Sequence, residues 1–204
     1  MQKYYVRDFL TRELERNDGR LTQYYIENNH EAIVERELWE AAQLEQKRVE
    51  AFKKTHQIRE LGSGSREPFY GKIFCSQCGG RFVKKRGKSQ WKCINTTGEK
   101  KETCQVQPVS EEKIEEQLSL AWAELVSRRG NLLPDWEKEA SQGNPLERLR
   151  ASQMQELTGK YPAWHHAAKK KRMLIQEILI CQGSVHAVVF MDGIRLQAGE
   201  IDNE

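Results

Sequence analysis

Residues 74–82 read Phe74-Cys75-Ser76-Gln77-Cys78-Gly79-Gly80-Arg81-Phe82, and two more cysteines follow at positions 93 and 104. A Cys-x2-Cys turn places two sulfurs on one small loop, and the glycine after it lets backbone N–H groups turn towards them. The second pair must come from a neighbouring strand and the loop after it, with a longer spacing than in a standard ribbon. Zinc takes four soft ligands in a tetrahedron, so the pattern predicts one structural Zn²⁺ bound by Cys75, Cys78, Cys93 and Cys104.

Three other uses of these cysteines fit the sequence less well. A redox-active Cys-x2-Cys pair belongs in a βαβ context, which is not predicted here. Disulfides are typical of secreted proteins, and residues 1–5 show no apolar signal core. Four unrelated buried thiols would need more apolar volume than so polar a block offers. The fifth cysteine, Cys181, lies on the apolar side of a predicted helix and is expected to be a core thiol.

A basic block surrounds the four clustered cysteines. Residues 69–107 contain nine Lys and Arg against two acidic residues, whereas the whole chain of 204 residues has a formal net charge of only +3. A local excess of positive charge is typical of phosphate binding. Trp91 interrupts this block and either covers the zinc or stacks on a base or sugar. For the basic block as a whole, the alternative to DNA binding is a solvated loop. The cations predicted to contact double-stranded DNA are Lys72, Arg81, Lys84, Lys85, Arg86, Lys88, Lys92, Lys100 and Lys101.

Turn residues and hydrophobic periodicity divide the first half of the chain. Residues 1–61 are predicted to contain two short strands, at 2–10 and 23–27, a turn at Asn17-Asp18-Gly19 and a helix over about 35–61. The glycine- and serine-rich residues 62–68 are predicted to be a flexible linker. Residues 69–107 are predicted to form a zinc β-ribbon, with strand-like runs at 69–74, 81–85 and 90–93.

Residues 108–204 are predicted to form a mainly helical tail that ends in a hairpin. Ser110 is the expected N-cap of a helix over about 110–128, with a break at 131–134, a second helix at 145–158 and a third from Pro162 up to Gly183. Strands at 185–191 and 194–197 flank the turn Asp192-Gly193. The fold class is therefore α+β: a small mixed N-terminal module, a zinc β-ribbon, and a mainly helical tail with a C-terminal β-hairpin. The apolar stripe of the first tail helix is Ile114, Leu118, Ala121, Trp122 and Leu125.

Several classes of protein are excluded by what the sequence lacks. The longest apolar run, residues 187–191, is far shorter than the ~20 residues of a membrane helix. No phosphate-binding glycine loop, paired-carboxylate motif or Ser/His/Asp arrangement is present, so we expect no catalytic residues and no small-molecule substrate. A cytoplasmic, nucleoid-associated location without membrane contact is expected.

A family resemblance adds to this reading. The stretch Glu67-Pro68-Phe69-Tyr70-Gly71-Lys72-Ile73-Phe74-Cys75-Ser76-Gln77-Cys78-Gly79-Gly80 resembles the opening of the zinc β-ribbon of large serine recombinases, the resolvase/invertase superfamily of phage integrases and transposon recombinases. The aromatic Trp91, two residues before the third cysteine, fits the same pattern. Upstream, Asp8-Phe9-Leu10-Thr11 and Tyr24-Tyr25-Ile26-Glu27-Asn28-Asn29-His30-Glu31-Ala32-Ile33 are similar to the end of the family's recombinase domain. The resemblance covers roughly residues 1–128.

The resemblance implies a protein of a mobile genetic element that recognises attachment-site DNA in integration, excision or transposition. In this family an N-terminal domain supplies the nucleophilic serine, and neither Ser63 nor Ser110 occupies that position. We therefore expect the truncated C-terminal part of a recombinase, without catalysis of its own. The expected partners are double-stranded DNA and a complete or complementary recombinase subunit. The alternative is a zinc-stapled protein-interaction module, in which the helices of residues 110–182 bind a partner.

Overall fold

The computed structural model describes residues 3–22, 31–56, 58, 69–84, 87, 89–96 and 104–197. The chain divides into two compact units, residues 1–36 and residues 37–204. The α+β fold class predicted from the sequence is confirmed. The predicted strand at 23–27 and the predicted linker at 62–68 lie outside the described residues. Within the described part of the chain, no helix is both long and apolar enough to cross a membrane.

The first unit contains an antiparallel hairpin of strands β1 (Tyr4–Asp8) and β2 (Glu13–Arg16). β1 confirms the strand predicted over 2–10. The predicted turn follows β2, and the Asn17 side-chain oxygen accepts hydrogen bonds from the N–H groups of Gly19 and Leu21. An Asx turn of this kind replaces backbone pairing where the chain reverses, which explains the asparagine at this position.

The second unit begins with helix α1 (Arg36–Thr55), within the predicted helix over 35–61. Its C-terminal end packs on Phe74, the residue before the predicted ligand Cys75. The Phe52 ring lies edge-on to Phe74 with centroids 5.8 Å apart, and the His56 ring lies 4.3 Å from Phe74. The His56 Nε2 atom also lies 3.6 Å from a Glu177 carboxylate oxygen. These contacts attach α1 to the sheet that positions the cysteines.

Two small sheets form the β part of this unit. An antiparallel sheet has the order β4 (Phe82–Lys84), β5 (Gln90–Cys93) and β6 (Val109–Ser110). A second sheet has the order β3 (Ile73–Cys75), β7 (Ile175–Cys181), β8 (Ser184–Phe190) and β9 (Arg195–Gln197). β3 lies parallel to β7, with Cys75 opposite Ile180. The first strand of the predicted ribbon thus shares a sheet with the end of the tail. The sequence analysis, which separated the ribbon from the tail, did not predict this pairing.

Helix α2 (Glu111–Ser127) supplies much of the core. Its N-cap is Ser110, whose Oγ accepts a hydrogen bond from the Lys113 N–H at 3.2 Å, as predicted. All five residues of the predicted apolar stripe are at most 1% exposed. The stripe faces β8, and the Trp122 and Phe190 rings lie with centroids 6.3 Å apart. Burial of this stripe joins the ribbon to the tail.

The predicted break at 131–134 is wrong. The helical segment is interrupted at Arg128 instead, and the next helix, α3 (Arg129–Gln142), continues through Pro134. A proline in the second turn of a helix removes one backbone hydrogen bond, here to the Gly130 carbonyl, so packing can outweigh the loss. Helix α4 (Pro145–Lys160) confirms the helix predicted over 145–158 and packs against α3.

The predicted helix from Pro162 to Gly183 is also wrong. Helix α5 covers only Ala168–Met173, and the following residues form strand β7. Ile175, Ile178 and Ile180 are all 0% exposed. The pairing of β7 with β8 has a bulge between Ile175 and Glu177, which interrupts the alternation of a half-buried strand, so the apolar residues of β7 can also be matched to a helical period. The C-terminal hairpin is confirmed, because β8 and β9 pair antiparallel around Asp192-Gly193.

Candidate metal centre

The four cysteines predicted as ligands come together in space. The Sγ atoms of Cys75, Cys78, Cys93 and Cys104 all lie within 4.8 Å of one another. Cys75 and Cys104 are separated by 3.6 Å between sulfurs, and Cys78 and Cys93 by 3.5 Å. A tetrahedron with Zn–S bonds of about 2.3 Å requires sulfurs about 3.8 Å apart. The cluster therefore has the size and ligand type of a zinc tetrathiolate centre.

Hydrogen bonds of the Cys-x2-Cys turn bring its two sulfurs together. Cys75 ends β3, and its N–H donates to the Gly80 carbonyl at 2.8 Å, while the Gly79 N–H donates to the Cys75 carbonyl at 2.9 Å. Gly79 has φ of +67°, a conformation that costs glycine little and other residues more. The chain then returns as β4, where Phe82 pairs with Cys93 of β5. This pairing brings the third ligand beside the first two.

The fourth ligand follows β5. A short 3-10 helix, Ile94–Thr96, begins directly after Cys93. The Cys104 N–H donates a hydrogen bond to the Asn95 carbonyl at 3.1 Å. The long spacing between Cys93 and Cys104 is therefore bridged by a backbone contact beside the site.

Backbone N–H groups donate to the sulfurs, as the sequence predicted for the turn. Burial raises the pKa of Cys75 to about 11 and also raises the pKa of Cys93, although each accepts backbone hydrogen bonds. Burial opposes ionisation of Cys78 as well. Hydrogen bonds from the Gly80 N–H and the Asn95 side chain outweigh it and lower the Cys78 pKa to about 7. Such donors favour thiolate, the form that binds zinc.

Asn95 and Gly80 were not predicted as site residues. The Asn95 amide nitrogen lies 3.4 Å from the Cys78 sulfur, to which it donates. A Cβ atom on Gly80 would lie 2.6 Å from that amide nitrogen and 3.1 Å from the Cys93 sulfur. Only glycine therefore fits at position 80 without displacing the cluster. The sequence signal was the position of Asn95, two residues after the ligand Cys93. Gln77 has the same position relative to the ligand Cys75, and the backbone N–H groups of Gln77 and Asn95 donate to the Cys75 and Cys93 sulfurs, respectively.

The donor set determines what this centre can do. Four thiolates fill the tetrahedral coordination of zinc and leave no position for water or substrate. Among the described residues, the metal-ligating cluster contains cysteines alone. Cys181 ends β7 and is not a member of it. The centre is therefore structural, and bound zinc would cross-link the end of β3, the following turn, the end of β5 and residue 104.

Comparison with known proteins identifies the segment that contains this centre. Residues 68–122 match the family model described as the recombinase zinc beta ribbon domain. This segment is therefore similar to the zinc β-ribbon of recombinases. The match extends to Trp122 and so includes most of α2, beyond the 69–107 predicted from charge. No curated protein and no solved structure matches the chain. The match supports a recombinase-related role in DNA binding and agrees with one structural zinc.

The structure separates the predicted DNA-binding residues into groups. The Lys72 ammonium donates to the main-chain carbonyls of Arg172 at 2.6 Å and Ile175 at 2.7 Å, and burial, with the nearby Arg48 charge, lowers its pKa to about 8. Lys84 forms an ion pair with Glu111. We therefore leave Lys72 out of the proposed DNA surface, because its ammonium is directed into the fold.

Two of the remaining predicted contacts, Arg81 and Lys92, lie in the described part of the ribbon. Arg81 donates to the Tyr70 hydroxyl at 3.4 Å, and Lys92 is half-buried on β5. Trp91 is 0% exposed in the core, so it is not available to stack on a base. The predicted contacts Lys85, Arg86, Lys88, Lys100 and Lys101 lie outside the described residues.

Proposed function

We propose that this chain is the zinc-stabilised DNA-binding part of a large serine recombinase and that it recognises one half of an attachment site. One observation supports the proposal above all: the four predicted ligands meet within the segment that matches the recombinase zinc ribbon. That segment contains the basic block of the sequence, residues 69–107. Lys and Arg side chains on a rigid ribbon suit contact with the phosphates of a DNA groove.

Zinc is what makes so short a ribbon rigid. Strands β4 and β5 have three and four residues, and β6 has two. Strands of this length bury too little apolar surface to be stable alone, so the free energy of metal binding becomes free energy of folding. Loss of zinc should therefore abolish DNA binding through loss of the ribbon, not through loss of a direct contact between metal and DNA.

The first experiment measures binding to a fluorescein-labelled 30-base-pair duplex by anisotropy, at several NaCl concentrations. The wild-type zinc-loaded chain should bind with a steep salt dependence. The double variant Lys85→Gln/Arg86→Gln should reduce the slope of log K against log[NaCl] by about 1.8, since each lost phosphate contact reduces it by about 0.9. An unchanged slope would show that Lys85 and Arg86 do not belong to the DNA surface.

A matched control removes two cations elsewhere. Lys138 is exposed on α3, where it lines a cavity with Asp135, Glu139 and Asp192, and Arg195 is exposed on β9. Because neither residue belongs to the segment that matches the zinc ribbon, Lys138→Gln/Arg195→Gln should change the net charge equally and leave the salt slope near the wild-type value. Equal effects of the two double variants would indicate a general charge effect and contradict a defined DNA surface.

We also propose that the chain does not cut DNA itself. The centre described above is closed, and the sequence shows no arrangement of nucleophile and base. Supercoiled plasmid incubated with the zinc-loaded chain and Mg²⁺ should remain intact under conditions where the duplex is bound. Nicking that copurifies with the chain would contradict this part of the proposal.

The second candidate function is a protein-interaction module, and an apolar groove favours it. The groove has a volume of about 260 Å³ and lies between α1 and α4, where Leu38, Leu149 and Met173 are 51%, 39% and 67% exposed. If the module serves protein contacts alone, the wild-type chain should show no salt-sensitive affinity for the labelled duplex. The same anisotropy titration therefore distinguishes the two functions.

A further inference from the structure

A second concentration of positive charge lies far from the ribbon in sequence. Between Glu156 and Glu177 the chain contains five Lys and Arg, two histidines and no acidic residue. This stretch includes the end of α4, the loop 161–167 and helix α5. The tail as a whole is close to neutral, so its net charge does not reveal this local run of basic residues.

Two of the five cations hold the fold together. Lys171 is 0% exposed, its ammonium donates to the Ala163 carbonyl at 2.5 Å, and it lies 4.6 Å from the Trp122 ring centre. Arg172 forms an ion pair with Glu115. These two side chains are used within the protein and are not available to a partner.

The other three lysines and both histidines of the run face solvent. Lys160, His165, His166, Lys169 and Lys170 are exposed, and we call these five residues the α5 basic surface. Within the part of the chain that the structure describes, none of them forms an ion pair with a carboxylate. The two histidine rings lie side by side, with centroids 4.1 Å apart. Unpaired cations on one short segment create the positive potential that attracts polyanions.

The loop that presents this surface is fixed by buried contacts. The Trp164 indole N–H donates to Glu115 at 2.7 Å, and the Trp122 indole N–H donates to the Tyr161 carbonyl at 3.1 Å. The two indole rings lie 6.2 Å apart. A loop already held in place loses little conformational entropy when it binds a partner.

The α5 basic surface adjoins the first ribbon strand. Lys72, the residue before that strand, donates to the carbonyls of Arg172 and Ile175, which lie two and five residues after the exposed Lys170. The Arg172 guanidinium also lies 5.4 Å from the Phe69 ring centre. Lys72 precedes the ligand Cys75 by three residues, about 10 Å along an extended strand. A duplex that contacts the ribbon extends about 34 Å per helical turn, so the same duplex is within reach of α5.

We propose that the α5 basic surface is a second phosphate-contact surface and that its partner is the backbone of the duplex bound by the ribbon. This inference rests on the proposed function. Lysine ammoniums and histidine N–H groups suit phosphate oxygens, and the five residues include none of the arginine, asparagine or glutamine side chains that form bidentate pairs with base edges. The surface should therefore add affinity and salt dependence without changing sequence preference.

The test compares Lys169→Gln/Lys170→Gln with the wild type and with the control variant Lys138→Gln/Arg195→Gln. Glutamine retains the length and polarity of these exposed side chains, and zinc content and circular dichroism verify that each variant is folded. In the anisotropy titration, the Lys169/Lys170 variant should show a salt slope smaller by about 1.8 than the wild type. Its ranking of duplexes of different sequence should be unchanged.

The outcomes separate this inference from the proposed function. If the wild type and the Lys169/Lys170 variant bind the duplex with the same salt slope, the ribbon binds DNA and the second surface is refuted. If the variant loses sequence ranking as well as slope, α5 reads bases and the inference of a backbone contact is wrong. If the wild type binds no duplex at any salt concentration, the proposed function fails and the second surface fails with it.

Discussion

Gly80 provides a sharp test of how the ribbon is built. Replacement by alanine places a Cβ atom 2.6 Å from the Asn95 amide nitrogen and 3.1 Å from the Cys93 sulfur. The amide can move only by giving up its 3.4 Å contact with the Cys78 sulfur. Loss of a hydrogen bond to a charged group costs about 1.5–3 kcal/mol, and loss of an outer-shell contact typically weakens metal binding by about 10–100-fold.

Competition with a chromophoric zinc chelator measures the effect. Gly80→Ala should weaken zinc binding by about 10–100-fold, and Asn95→Ala by a similar factor. In the Asn95→Ala background, Gly80→Ala should cost much less, because the side chain it displaces is gone. Gly130→Ala is the matched control, since a Cβ there meets nothing within 4 Å. Zinc affinity of Gly80→Ala equal to that of the wild type would refute the packing argument.

Three further predictions concern the rest of the fold, each read from denaturant unfolding of the zinc-loaded chain. Ile178→Ala should destabilise the protein by about 2–5 kcal/mol because the side chain is fully buried in β7, whereas Met173→Ala, 67% exposed, should change stability by less than about 0.5 kcal/mol; equal effects would contradict the assignment of β7 to the core. Asn144→Ala should cost about 1 kcal/mol, because Asn144 and Glu147 form a capping box at the start of α4, and no loss would contradict that cap. The pKa of Lys72 is lowered to about 8, so the unfolded chain binds more protons than the folded one between pH 8 and 10.5. The free energy of unfolding should therefore rise with pH over that range. Lys72→Met should flatten this rise, and an unchanged pH profile would show that Lys72 is not its source.

The metal centre was largely predictable because its chemistry is local in sequence. A Cys-x2-Cys turn followed by glycine has few other uses in a small, polar block, and Cys93 and Cys104 were the two other cysteines of that block. The stripe that contains Trp122 was equally clear, since a helix buried on one face has an unambiguous period. Asn95 was missed because a single asparagine has many roles and becomes a site residue only through its contact with Cys78.

The tail was less predictable because a bulge interrupts the alternation of buried and partly buried residues in its central strand, β7. Ile178 and its neighbours in β7 fit a helical period as well as a strand, and the parallel partner that decides between them, β3, lies about 100 residues earlier in the chain. The same distance hid the role of Lys72, whose ammonium contacts carbonyls near α5. Composition indicates a cation, but only the fold shows whether it faces solvent.

The most direct test of the account is the metal content of the purified chain, together with a count of reactive thiols before and after chelation. The four clustered cysteines predict one zinc per chain and four thiols that become reactive only when a strong chelator removes the metal. Duplex binding should disappear in the same step and return when zinc is restored. A chain without zinc, with Cys75, Cys78, Cys93 and Cys104 already reactive and duplex binding intact, would contradict the account.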